Sequence, residues 1–212
     1  MNTFSISEAL HFGWDTFKKD PWFYVGVTFT LSIFSFIVQA LTSNGHGLFW
    51  IVGFLISLAA STVVTIAYAQ LALSATQGPH AGWNDLWAPK YFLDMFGSTI
   101  LQSVIILVGF VLLILPGILA MLFLCFTQLA VVDKGLKPVG ALKESFRLSK
   151  PHLFQLFLFM VVLVLINIVG LLCIVVGLLV SIPVSLLAVA HVYRKLVALQ
   201  GVPMVTPTPP AA

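Results

Sequence analysis

The sequence predicts an all-α polytopic membrane protein: about six transmembrane helices in three hairpins, each preceded by a cytoplasmic interfacial amphipathic helix. Three observations predict it. Of the 212 residues, 60% are hydrophobic and 8% charged. Soluble domains carry about 25% charged residues, so too few charges exist here to cover a water-facing surface. Apolar runs of about 20 residues recur, the length of helix that crosses a hydrocarbon core of about 30 Å with its backbone groups paired internally. Segments such as LFLFMVVLVLINIVGLLCIVVGLLV lack the alternating polarity that marks a membrane β-barrel.

The elements follow in order. Ser5 and Glu8 have capping-box spacing. After them Ile6, Leu10, Trp14 and Phe17 share one helical face, with Glu8, His11, Asp15, Lys18 and Lys19 mostly on the other. This is an amphipathic helix expected to lie in the membrane interface. Residues 22–41 form the first span, TSNGHG a polar turn, and residues 48–75 the second span. GWNDLWAPKYFLDMF is a looser interfacial segment interrupted by Pro89.

Gly97–Val132 contains no Asp, Glu, Lys, Arg or His. As one helix it would be about 54 Å long at 1.5 Å per residue, too long for one crossing. It therefore reads as two spans, 97–115 and 116–132, with the hairpin turn at Pro116 and Gly117. Proline suits the first turn of a helix and glycine permits a sharp bend; a single kinked, tilted helix is the alternative. KPVGALKESFRLSKPH is the third amphipathic segment: Val139, Leu142 and Phe146 on one face, Lys143, Arg147 and Lys150 on another. Its likeness to EALHFGWDTFKKDP raises the expectation of a threefold repeat of interfacial helix plus hairpin. Residues 153–172 and 177–199 are the last spans, with Gly170 and Gly177 marking their turn. Residues 1–200 thus make one integral membrane domain. The first span follows a charged amphipathic segment with no small-residue cleavage site, so no cleavable signal peptide is expected. The proline-rich GVPMVTPTPPAA (residues 201–212) reads as a disordered cytoplasmic tail.

Charge sets the expected orientation. In this arrangement all ten Lys and Arg and all seven acids fall on one side. The positive-inside rule then puts both termini in the cytoplasm of a cell with the chain in its plasma or inner membrane. Trp14, Trp22, Trp83 and Trp87 cluster on the same side, as an aromatic belt does.

Candidate chemistry is sparse. Intramembrane ionisable residues mark ion and proton paths, and the expected span interiors hold none except His191 near a cytoplasmic end. Gln39, Gln70, Gln102, Gln128 and Asn167 read as interhelical hydrogen-bonding groups. The stripes Ser57, Ser61, Thr65, Ala69 and Gly177, Ser181, Ser185 read as close-packing faces. Cys125 and Cys173 lack ligand spacing, and Asp133 reads as a solvated loop carboxylate. No nucleotide-binding or hydrolase motif occurs. No catalytic residue, cofactor or metal is therefore expected, and no nucleic acid. The candidate contacts are membrane lipids, with other membrane proteins or a second copy as further partners. Lys137, Lys143, Arg147 and Lys150 form a basic stretch suited to anionic head groups.

The block ILPGILAMLFLCFTQLAVVDKGLKPVGALKESFRLSKPHLFQLF resembles a broad group of prokaryotic integral membrane proteins. In them a Pro-Gly turn leads through an apolar helix to VVD-G and then AL--S. EALHFGWDTFKKDPWFYV is similar to the group's usual start. The group includes the membrane domain attached to some glycerophosphoryl diester phosphodiesterases. The resemblance implies the fold and says little of activity, because no phosphodiesterase domain or acid/His cluster accompanies it here. The functional expectation is a non-catalytic scaffold or accessory subunit; the alternative is a carrier or flippase for a hydrophobic or lipid substrate.

Overall fold

The computed structural model describes residues 4–42, 48–77, 89–173 and 176–200. The polar turn after Thr42, most of the middle interfacial segment and the tail 201–212 lie outside the described residues. Within them every regular element is helical: α1 (Ile6–Lys19), α2 (Pro21–Thr42), α3 (Leu48–Gln77), α4 (Phe92–Leu112), α5 (Ile114–Phe123), α6 (Thr127–Lys134), α7 (Pro138–Ser149), α8 (Leu153–Leu172) and α9 (Val176–Leu199). Six helical stretches are long and apolar enough to cross a membrane: Pro21–Thr42, Val52–Gln77, Phe92–Leu112, Ile114–Lys134, Pro138–Leu172 and Gly177–Leu199.

Lipid tails are as apolar as leucine, so packing between such helices depends on van der Waals fit and hydrogen bonds rather than on exclusion from water. Small residues at the contacts carry much of that fit. A Cβ on Gly177 would come within 2.3 Å of the Gly170 carbonyl oxygen, so α8 and α9 touch backbone to backbone. One turn deeper, Asn167 donates to Ser185 Oγ at 2.9 Å and accepts from Ser181 at 3.0 Å. Between α2 and α3, the Thr42 and Ser57 hydroxyls lie 2.7 Å apart.

The chain between α4 and α5 corrects one expectation. The turn is at Leu113, the extended residue between the two helices (φ −169°, ψ 157°), and not at Pro116 and Gly117. Pro116 sits in the first turn of α5, where its missing N–H is no loss. Gly117 serves the contact instead of the bend: a Cβ on Gly109 would lie 3.0 Å from the Gly117 Cα. The stretch expected as one span over 116–132 is also two helices, broken over Leu124, Cys125 and Phe126. Side chains from other helices fill the break. Ser145 of α7 donates to the Phe123 carbonyl at 2.8 Å and accepts from the Phe126 N–H at 3.1 Å. Gln102 of α4 donates to the Leu124 carbonyl at 3.1 Å and accepts from Gln128 at 3.1 Å. Beyond the break α6 ends on Gly135 at φ 61°, a left-handed conformation that glycine adopts without steric cost.

Small residues make up much of the buried face of both described amphipathic helices. Ser5 caps α1 by accepting from the Glu8 N–H. The buried residues of α1 are then Ala9, Gly13, Thr16 and Phe17, while Trp14 is exposed. Glu8 meets Lys195 and Gly13 meets Val184, so α1 runs antiparallel along α9, with Ile6 and Leu10 partly buried against the core. A Cβ on Gly13 would lie 2.6 Å from the Val184 carbonyl oxygen, a closeness that larger residues forbid. In α7 the buried set is Ala141, Leu142, Ser145, Leu148 and Ser149, and Val139 and Phe146 face outward. Here the requirement is Ser145 inside the break, which turns Phe146 away from it.

Candidate functional site: ion pairs around α9 and the basic face of α7

The ionisable residues at the C-terminal half of α9 tie two other helices, α6 and α1, to it. Asp133 at the end of α6, expected as a solvated carboxylate, is buried and lies 3.0 Å from the Arg194 guanidinium. The Tyr193 hydroxyl donates to its second oxygen at 2.9 Å. Tyr193 is itself fully buried, its ring 5.9 Å from that of Phe126. A carboxylate taken out of water is costly unless it is paired and hydrogen-bonded, and these two partners supply both. On the opposite side of the same turn, Lys195 pairs with Glu8 of α1, and His191 lies 3.6 Å from the other Glu8 oxygen. The Lys195 hydrogen bond, aided by the nearby positive charges, holds the Glu8 carboxyl below its ordinary value. Thus one turn of α9 grips α6 and α1 at once.

A second pair joins α6 to α7. Glu144 takes Lys134 at 2.6 Å and Arg147 at 2.8 Å. This sorts the four residues expected to meet anionic head groups. Arg147 is exposed and shares the Glu144 carboxylate with Lys134. Lys137 is the exposed residue that precedes α7. Lys150 lies over the Phe146 ring at 5.8 Å. Lys143 is exposed, and among the described residues it makes no ion pair. All four are exposed, and of them Arg147 is the one with a carboxylate partner among the described residues.

Sequence reasoning missed the Asp133–Arg194 pair. The available signal was the pairing of a carboxylate and an arginine each beside an apolar run, VVD and VYR, but nothing local links them. Cys125 and Cys173 are free thiols, and Cys125 lies 3.8 Å from the Ser149 hydroxyl in a packing contact. Among the described residues no group of three or more His, Cys, Asp or Glu is arranged to hold a metal ion.

Residues 23–208 match the family described as a domain of unknown function, DUF7847. No curated protein and no solved structure matches the chain.

Proposed function

The chain belongs to the DUF7847 family, and we propose that it is a non-catalytic multi-pass membrane protein acting as a scaffold or accessory subunit. The observation that carries this reading is the use of its buried and half-buried charges. Asp133, Arg194, Glu144 and Lys134 hold helices together. Ionisable groups committed to such pairs stabilise one arrangement and are poor couplers of ions or protons. The resemblance to the membrane domain of glycerophosphoryl diester phosphodiesterases supports the same reading, since there the membrane part accompanies a separate catalytic domain.

In this reading the chain sits in a cell membrane with both termini and the basic α7 segment in the cytoplasm, following the positive-inside rule. A cysteine-free background (Cys125→Ser, Cys173→Ser) carrying Ser43→Cys or Lys137→Cys tests the orientation. An impermeant thiol reagent on intact cells should reach position 43 and not 137; labelling of both from one side would overturn it. The scaffold reading itself is tested in vesicles holding a fluorescent phospholipid in both leaflets, with an impermeant quencher outside. Vesicles with the full chain should lose fluorescence to the same plateau as empty ones. A lower plateau that depends on the chain would replace this reading with the lipid carrier.

A further inference from the structure

We propose that the outward face between α5 and α7 is a binding groove for an anionic glycerophospholipid of the surrounding bilayer, with Lys143 at its head-group end. The inference rests on the membrane reading above and is independent of the scaffold role. The groove is about 690 Å³, within the range of about 300–1,000 Å³ common to small-molecule sites. It is lined by Ile105 of α4, Pro116, Leu119 and Phe123 of α5, and Phe146 and Lys143 of α7. Apart from Lys143 those side chains are hydrocarbon or aromatic.

Its shape suits an acyl chain with a charged head. The rise of a helix puts Pro116 about 10 Å from Phe123, so the apolar part runs along α5 for several methylenes, away from the charge. At the other end the lining rings of Phe123 and Phe146 lie 4.5 Å apart between centroids, tilted by 33°. Lys143 sits there among the lining residues, and Lys150 lies over the Phe146 ring. Lys143 is thus the charged residue of an otherwise apolar trough, with Lys150 near one of its aromatic walls. Arg147, the third on this face, is held by Glu144, whose carboxylate it shares with Lys134. Charge complementarity selects the occupant. A zwitterionic head group would bring its own cation toward Lys143, whereas a phosphodiester carrying a net negative charge meets it without one. The inward turn of Ser145, which leaves Phe146 and Lys143 outside, is what builds this face.

The test uses the full chain, purified in detergent and given equal amounts of phosphatidylglycerol and phosphatidylcholine, with retained lipid read by native mass spectrometry. Wild type should retain phosphatidylglycerol preferentially. Lys143→Ala should lower that retention about fivefold, the equivalent of about 1 kcal/mol for one basic residue near an anionic head group. Lys143→Arg should restore it, and Leu119→Trp, which fills the trough, should lower retention of both lipids. Lys137→Ala, away from the lining residues, should match wild type. Retention unchanged in Lys143→Ala, or reduced as much by Lys137→Ala, would overturn the groove in favour of diffuse attraction. Because Lys143 is exposed and unpaired within the described residues, its variants leave the fold intact. The outcome is separate from the vesicle assay, so either proposal can fail alone.

Discussion

Asp133 and Arg194 form a buried ion pair, Oδ1 to Nη2 at 3.0 Å, between the last turn of α6 and the C-terminal half of α9. Each lies toward the C-terminal end of a helical stretch long and apolar enough to cross a membrane, and Tyr193 joins them by donating to Asp133.

Removing one partner should cost more than removing both. Arg194→Ala leaves a buried carboxylate with its charge uncompensated, a loss of about 3–5 kcal/mol in comparable pairs. Asp133→Leu with Arg194→Leu should recover much of that loss, because well-packed apolar residues often replace a buried pair at little cost. Melting in detergent micelles compares the three proteins. A double variant as unstable as the single one would show that the pair's packing matters more than its charge.

Ser145 completes the break between α5 and α6. Ser145→Ala should leave the buried Phe126 N–H and the Phe123 carbonyl without their side-chain partner, at about 1–3 kcal/mol. The expected signature is local: faster amide hydrogen exchange over Phe123–Thr127 by mass spectrometry, with α2 and α3 unchanged. Uniform change across the chain would argue against a role confined to the break.

The close glycine contacts predict a sharp contrast between two alanine substitutions. At Gly177 an added Cβ would meet the Gly170 backbone at 2.3 Å, so Gly177→Ala should force α8 and α9 apart and lower the melting midpoint. At Gly26 nothing lies within 4 Å. Gly26→Ala should therefore be neutral or stabilising by up to about 1 kcal/mol, since alanine favours the helix. Equal effects at the two positions would sink the packing argument.

The tie between α1 and α9 should weaken in acid. Glu8 has a folded pKa below its ordinary 4.5, first through its hydrogen bond to Lys195. A carboxyl depressed on folding contributes stability that is present above 4.5 and is lost as pH falls through the folded value. Wild type should therefore melt above Glu8→Gln at neutral pH, and the difference should shrink as pH drops below 4.5. The exposed position keeps the effect small and sensitive to salt. A difference that stays constant into the acid range would mean that Lys195 is not its source.

What was legible in the sequence was what depends on local composition. Runs such as Leu153–Leu172 are uncharged and apolar but for Gln155 and Asn167, so their helical state and their fitness to cross a membrane follow from hydrophobicity and length alone. The need for a break within Gly97–Val132 follows in the same way, because thirty-six residues of helix exceed the thickness of the hydrocarbon core. Only the tertiary structure decided where that break falls. Leu113 turns because Gly109 and Gly117 let the two helices meet there, and the second break at Leu124–Phe126 is held by Ser145 and Gln102 from distant helices. The inward faces of α1 and α7 were likewise undetermined locally. Among helices in lipid the buried face is the one that packs closely, as at Ala9 and Gly13, and need not be the most hydrophobic one. Asp133 shows the same limit: beside VV and before KG it reads as a loop carboxylate, and its burial rests on Tyr193 and Arg194, far along the chain. Hydrophobicity and length belong to a segment, whereas pairing and facing belong to the contacts that segments make with one another.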